Sequence, residues 1–277
     1  MTKISVLMPA YNAEKYIREA IDSILKQSYM DFEFIIYNDG SMDKTANIVH
    51  SYEDNRIVLI NNNDNKGVSF VRAELLKIAK GQYITWMDAD DTCDTNRLEK
   101  QVQHLDNNMD YVAVGTGYSL NYKGTLTNRY LFSSDKNIRL YPAFCGASVM
   151  FRKTVLKNVS STSKEGGGED YAFLLQIIKY GKVHNLKNVK YYYRQDNPNS
   201  VSKNPQASQN ILQAFVKYRM NADVNAVEAL NTLPVSKGLC IAVWFVMAKG
   251  FKGLPYKYII PTISFGLWWK LMHRVSK

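Results

Sequence analysis

The chain has 277 residues, 46% of them hydrophobic and 12% aromatic, which excludes a disordered or collagen-like polypeptide and allows one large domain or one domain with an appendage. The net charge of +10 points first to nucleic acid, but residues 229–277 hold no Asp or Glu and seven basic residues: Lys237, Lys249, Lys252, Lys257, Lys270, Arg274 and Lys277. Subtracting those seven leaves +3 for the first 228 residues, so the basic character belongs to a tail and no nucleic-acid partner is expected.

Residues 4–8 form a short β-rich run, and after Pro9 Tyr16, Ile17, Ala20, Ile21, Ile24 and Leu25 recur at helical spacing. Residues 32–37 make the next strand, ending in the turn-forming Asn38, Asp39, Gly40 and Ser41. A helix over 44–52, a strand over 57–60 and a helix with Val68, Val71, Leu75, Ile78 and Ala79 on its apolar face follow. A strand over 83–87 then runs straight into Asp88, Ala89, Asp90 and Asp91, before a helix over 95–105 and a strand over 111–114. Strands separated by helices of this length build βαβ units and a mainly parallel sheet. In such sheets ligands gather beyond the carboxyl ends of the strands. The loops at 9–12, 38–41 and 88–91 each follow a strand end, so one crevice can see all three.

Beyond about residue 117 the alternation loosens. Residues 121–124 mark a hairpin turn and 148–151 a strand. Three consecutive glycines at 166–168 lead into Glu169, Asp170 and a helical run to Ile178; residues 191–194 are aromatic and strand-like, and 205–219 read as a helix. The three cysteines, Cys93, Cys145 and Cys240, are odd in number and far apart, which fits a reducing compartment and neither a disulfide framework nor a zinc knuckle. The N-terminal apolar stretch, broken by Ser5 and Pro9, is too short for a signal peptide.

Three carboxylates within four positions, Asp88, Asp90 and Asp91, sit at a strand end. Like charges this close favour a nearby cation or several donors, and a hard divalent ion would share such oxygens with a substrate phosphate. Helix capping by Asp91 or Asp94 is the alternative, and it accounts for one acid rather than three. Asp39 fits ordinary turn chemistry or an acceptor for an imide N–H. Lys66 and Arg72, flanking Gly67, fit either a diphosphate contact or a solvated helix face. Glu169 and Asp170 fit either capping acids behind a loose loop or a general base meeting an acceptor hydroxyl.

Taken together, residues 4–12, 37–41, 65–67 with Arg72, 87–91 and 169–170 resemble, in order, the motifs of family 2 glycosyltransferases, over roughly residues 1–200. The resemblance implies a GT-A fold: a single nucleotide-binding α/β domain with a mainly parallel central sheet. Its donor half would be 1–116 and its acceptor half 117–203, with a helical C-terminal extension at 204–277. It implies an inverting transfer of sugar from a nucleotide-diphosphate donor, a UDP-sugar, to a glycan hydroxyl. Pro9, Ala10, Tyr11, Asn12, Lys66, Gly67, Arg72 and Ala89 would border the nucleotide, Asp39 would hold the uracil edge, and Asp88 would lie near the ribose or donor sugar. Asp90 would bind Mn²⁺ or Mg²⁺ and Asp91 would orient the donor or support the site. Asp170 would be the general base, with Glu169 supporting it. Many relatives carry a His in the loop after the late Tyr-Arg; here the loop after Arg194 has none, and Asp196 or Asn197 must supply any contact made there.

The tail is unusual in another way. Residues 239–248 are ten consecutive apolar positions, too few to cross a bilayer, and Trp268, Trp269 and Lys270 resemble an interfacial anchor. Two readings fit: contact with the anionic inner face of the cytoplasmic membrane, or packing on the domain or a second copy. The expected setting is cytoplasmic and peripheral, with a lipid-linked acceptor for O-antigen, capsule or lipooligosaccharide synthesis. A sugar-phosphate nucleotidylyltransferase would show a Gly-rich phosphate loop where this chain has Pro9, Ala10, Tyr11 and Asn12. A non-catalytic membrane-associated nucleotide- or glycan-binding protein would not need Asp88, Asp90 and Asp170.

Overall fold

The computed structural model describes residues 2–129, 144–159, 169–198 and 200. In chain order they form β1 (Ile4–Ala10), α1 (Ile17–Leu25), β2 (Phe32–Asp39), α2 (Thr45–His50), β3 (Ile57–Asn62), α3 (Val68–Ile78) and β4 (Tyr83–Trp86). Then come β5 (Thr92–Cys93), α4 (Arg97–Asn107), β6 (Tyr111–Tyr122), β7 (Thr125–Arg129), β8 (Met150–Arg152), α5 (Glu169–Ile177) and β9 (Lys182–Arg194). A 3₁₀ turn over Gly146–Ser148 leads into β8.

The strands make one sheet in the order β3-β2-β1-β4-β8-β6-β9-β5, with β7 pairing the end of β6 on the edge opposite β9. The expected parallel character holds for β3, β2, β1 and β4. Beyond β4 the sheet is mixed, because β8 runs antiparallel to both β4 and β6 while β6 and β9 are parallel. The alternation of β1 explains how the sheet is covered. Ile4, Val6 and Met8 join Ile17, Ile21, Leu98 and Val102 on one face, and Leu7 joins Val71, Leu75, Ile84 and Phe151 on the other. With helices on both faces, the first strands are nearly all buried.

The elements of the first half fall where the apolar spacing puts them. Two features differ, β9 in the second half and β5 between β4 and α4. β9 begins at Lys182, well before the aromatic run, and its register with β6 shifts between Thr116/Leu186 and Gly117/Lys190. That irregularity leaves Lys187 and Asn188 both exposed and interrupts the alternation that marks a strand. β5 lies where a plain loop is expected, pairing with Tyr191 and Tyr192 of β9. The glycines at 166–168, the helix at 205–219 and the C-terminal extension at 204–277 lie outside the described residues. Among the described residues no helix is long and apolar enough to cross a membrane.

Candidate active site

The loops after β1, β2 and β3 are bonded to one another. Asn12 takes a left-handed backbone conformation (φ 47°), which Asn tolerates better than most residues. From there its N–H donates to Ser41 Oγ at 2.9 Å and its Oδ1 accepts the Met42 N–H at 2.9 Å. The Ala13 N–H donates to Thr45 Oγ1 at 2.8 Å. Ala10 is buried and Tyr11 stands 48% exposed beside this junction. Asp39, buried at the end of β2, accepts the Lys66 N–H at 3.0 and 3.1 Å and the Gly67 N–H at 2.8 Å. A carboxylate with several backbone donors is well satisfied while buried, and it pins the loop that opens α3. The turn needs its glycine: Gly40 has φ 70°, and a Cβ there would lie 2.7 Å from the Asp64 carbonyl carbon.

The sequence left Lys66 and Arg72 between two readings, and the structure separates them. Lys66 Nζ is half-exposed and lies 3.5 Å from Asp64. Arg72 is not on a solvated face: it is 8% exposed, sits over the Trp86 ring and donates from Nη2 to Asp88 Oδ1 at 3.1 Å. It therefore reaches the carboxylate loop from α3.

β4 delivers that loop. Ala89 is buried, and Asp88 and Asp90 are partly exposed. Asp90 Oδ2 accepts the Asn197 amide at 2.7 Å, and the Asp90 carbonyl accepts Arg194 Nε at 2.8 Å. Asp91 points inward, 1% exposed; its Oδ1 accepts the Arg194 N–H at 2.7 Å. The capping alternative fails for both acids considered. α4 has Asn96 as its N-cap, with no side-chain cap bond. Asp94 instead accepts the Lys190 N–H at 2.9 Å and the Tyr192 hydroxyl at 2.8 Å. Asp91 and Asp94 thus latch the loop to β9. Arg194 extends the latch to α1, donating to Glu19 at 2.6 Å and stacking on Tyr16.

Asp170, at the start of α5, faces the same loop. Its Oδ1 accepts the Tyr171 N–H at 2.7 Å, and a Cβ on Gly146 would lie 1.9 Å from its Oδ2. Glu169 precedes it as the first residue of α5. Burial holds the Asp88 carboxyl above the usual carboxylate range; Asp90 and Asp170 add to that rise and Arg72 opposes it. Burial raises Asp91 further, with Asp90 and Asp88 reinforcing it and the Arg194 N–H opposing it. The Cys145 thiol is pushed up by burial and by Asp91, Asp88 and Asp170. These mutual effects place Asp88, Asp90, Asp91 and Asp170 in one electrostatic neighbourhood. Among the described residues no three His, Cys, Asp or Glu side chains form a ready-made metal cage. The fit is instead to a cation that one or two carboxylates hold while phosphate oxygens and water complete its shell, which is how Mg²⁺-like ions bind beside nucleotides.

Three participants escaped sequence reasoning. Gly146 has no local signal, since its contact with Asp170 spans 24 positions. Tyr191 reads only as part of an aromatic strand and Arg97 carries no sequence signal of its own, yet both lie fully buried beneath the carboxylate loop.

The family model for glycosyl transferase family 2 matches residues 5–159. WfaP of Escherichia coli, a UDP-Glc:alpha-D-GlcNAc-diphosphoundecaprenol beta-1,3-glucosyltransferase, is 32% identical over 198 residues, covering 70% of this chain and 78% of that protein. The crystal structure of S. aureus TarS 1-349 in complex with UDP-GlcNAc superposes with a TM-score of 0.68 at 21% identity, covering 82% of this chain and 70% of that one. The mannosyltransferase PcManGT from Pyrobaculum calidifontis, in complex with GDP-Man and Mn²⁺, does so at 0.67 and 19% identity, covering 94% and 79%. The sheet with its strand-end crevice is therefore a GT-A fold, and the chain belongs to glycosyl transferase family 2.

Proposed function

We propose that this protein transfers a sugar, with inversion, from a UDP-sugar to a hydroxyl of a lipid-diphosphate-linked glycan in bacterial surface polysaccharide synthesis. The observation that carries the reading is the meeting of Arg72-paired Asp88, Asp90 and Asp170 at the carboxyl end of β4. Asp90 holds a divalent cation, Mn²⁺ or Mg²⁺, that neutralises the departing diphosphate when bound. The cleft of Pro9, Ala10, Tyr11, Asn12, Lys66, Gly67 and Ala89 takes the nucleotide. Asp39, whose two oxygens retain acceptor capacity beyond the Lys66 and Gly67 N–H groups, takes the base edge. Asp91 fixes the loop from below. Asp170 removes the acceptor proton as the hydroxyl attacks opposite the leaving diphosphate, with Glu169 supporting its helix start. One displacement inverts the anomeric centre, so an α-linked donor gives a β-linkage.

The donor and acceptor classes are supported by the likeness to WfaP, whose name specifies UDP-Glc and a diphosphoundecaprenol-linked GlcNAc. The acid-free basic tail at 229–277 suits the anionic inner face of the cytoplasmic membrane, where such an acceptor is presented.

The test is a transfer assay with the full chain, a panel of UDP-sugars, Mn²⁺ and a synthetic α-GlcNAc-diphosphate-lipid acceptor, with the product linkage read by NMR. A β-linked product that Asp170→Asn does not form supports the reading. Retention of anomeric configuration, or no transfer and no UDP release from any donor, overturns it. Flotation with anionic vesicles tests the tail: full-length protein rises with the lipid and a chain ending near Ser236 does not. Equal recovery removes the membrane role.

A further inference from the structure

Among the described residues Arg97 is the largest fully buried side chain, with no exposure to solvent. Every hydrogen-bond partner of its guanidinium among the described residues is uncharged: Gln101 Oε1 at 3.2 Å, Met87 Sδ at 3.5 Å, Thr85 Oγ1 at 2.5 Å and the Trp86 carbonyl at 2.7 Å. A buried cation with only neutral partners is costly, unless negative charge lies close by in the same low-dielectric region. That charge bears on Tyr191, whose hydroxyl feels both Asp91 and Asp88. The guanidinium lies over the Tyr191 ring, 5.3 Å from its centroid. The Tyr191 hydroxyl accepts the Asp88 N–H at 3.1 Å. Asp91 is the counterpart problem: a carboxylate 1% exposed whose Oδ2 has no hydrogen-bond partner.

We propose that Arg97 is a positioning residue for the donor site, serving as the buried counter-charge of the carboxylate loop and acting on it through Tyr191. The cation over the ring fixes the phenol that holds the Asp88 N–H, and the same guanidinium holds the Trp86 carbonyl at the end of β4. Asp91 held in place keeps the Arg194 N–H, and Arg194 Nε in turn fixes the Asp90 carbonyl. Tyr191 fixes the Asp88 N–H directly. Both carboxylates that face the donor are thereby held from beneath by a residue that touches neither donor nor cation. Gln101 carries the same base plate to the opposite wall, since its Nε2 donates to the Ser148 carbonyl at 2.7 Å, at the end of the turn that meets Asp170.

The inference rests on the nucleotide-binding reading, and the test separates the two. Affinity for UDP in Mn²⁺ is measured by calorimetry on the full chain, with GDP substituted where UDP gives no heat. The proteins are wild type, Arg97→Met, Arg97→Lys, Tyr191→Phe and the Arg97→Met/Tyr191→Phe double variant. Calorimetric stoichiometry reports the folded fraction, so a merely structural loss lowers stoichiometry and leaves affinity alone. Arg97→Met and Tyr191→Phe are each expected to weaken binding about tenfold or more, and the double variant no further than the weaker single variant, because both remove one linkage. Arg97→Lys, which keeps the charge, recovers part of the loss. If Arg97→Met does not fold, Tyr191→Phe and Arg97→Lys carry the comparison, since both retain the packed volume. Wild-type affinity in Tyr191→Phe, or single losses that multiply in the double variant, overturns the inference. A wild type that binds neither nucleotide overturns the functional reading, and the inference with it.

Discussion

The β1–β4 side of the crevice has its loops bonded to one another and latched by hydrogen bonds to β9, whereas α5 meets it mainly through packing and charge. Asn12 is tied to Ser41 and Met42, and Asp39 to Lys66 and Gly67, all through backbone groups. Asp170 is placed by the helix it opens and by the absence of a side chain at Gly146. The difference teaches that the side proposed to take the nucleotide is rigid in advance, while the proposed base depends on the helix it opens and on its closeness to Gly146. Substitutions on the two sides should therefore separate donor binding from turnover.

The largest effect belongs to Asp170. Asp170→Asn keeps the size and removes the base, so turnover should fall by about 10³-fold while nucleotide affinity stays within twofold, checked by initial rates beside calorimetry. A parallel fall in affinity would mean that the two sides are not separable. Gly146→Val comes next, because a Cβ there would overlap Asp170 Oδ2 and force it aside. Displacement on the order of an ångström costs about 10²-fold in rate, again with affinity retained. Asp39→Ala probes the other side: with the Lys66 N–H left unanswered and the Gly67 N–H left with Asn65 Oδ1 alone, urea unfolding should show a stability loss of about 2 kcal/mol, together with weaker nucleotide binding.

The first half was legible because its signals are local. Each βα unit has its own apolar period, and each polar loop directly follows a strand end. The carboxylate loop and its neighbourhood were visible as residue types in order. What holds them was not. Asp91 and Asp94 look like capping residues before α4, and only the return of β9, a hundred residues later, shows that they bind Arg194, Lys190 and Tyr192 instead. The irregular register of β9 conceals the strand that brings those partners. Arg72 looks like one base on a helix face; its burial against Trp86 and Asp88 follows from how α3 lies on the sheet.

The smallest effect lies away from the crevice and serves as a control. The His104 and His184 rings stack with centroids 5.1 Å apart, near the starts of β6 and β9, with Tyr111 edge-on to both. Burial holds both imidazoles below their ordinary 6.5; His184 adds to the effect on His104 and Asp110 opposes it. The folded state thus binds protons less readily than the unfolded one. Stability from this pair is complete above pH 6.5 and is lost as pH falls below it through the folded-state values. Urea midpoints compared above and below that range should show a modest decline, which replacing both rings by Phe flattens. A midpoint that rises on acidification would contradict the sign.

The central claim is that the Asp88–Asp91 loop is the seat of a metal-bridged nucleoside diphosphate. Its most direct test is a thermal-shift panel of UDP, GDP, CDP and ADP, each with and without Mn²⁺, on wild type and Asp90→Ala. A ligand at roughly 100 times its dissociation constant adds about 2.7 kcal/mol, a shift of several degrees. The account predicts a Mn²⁺-dependent rise with UDP that Asp90→Ala abolishes. No shift with any nucleotide at saturation, or one that Asp90→Ala leaves intact, would contradict it.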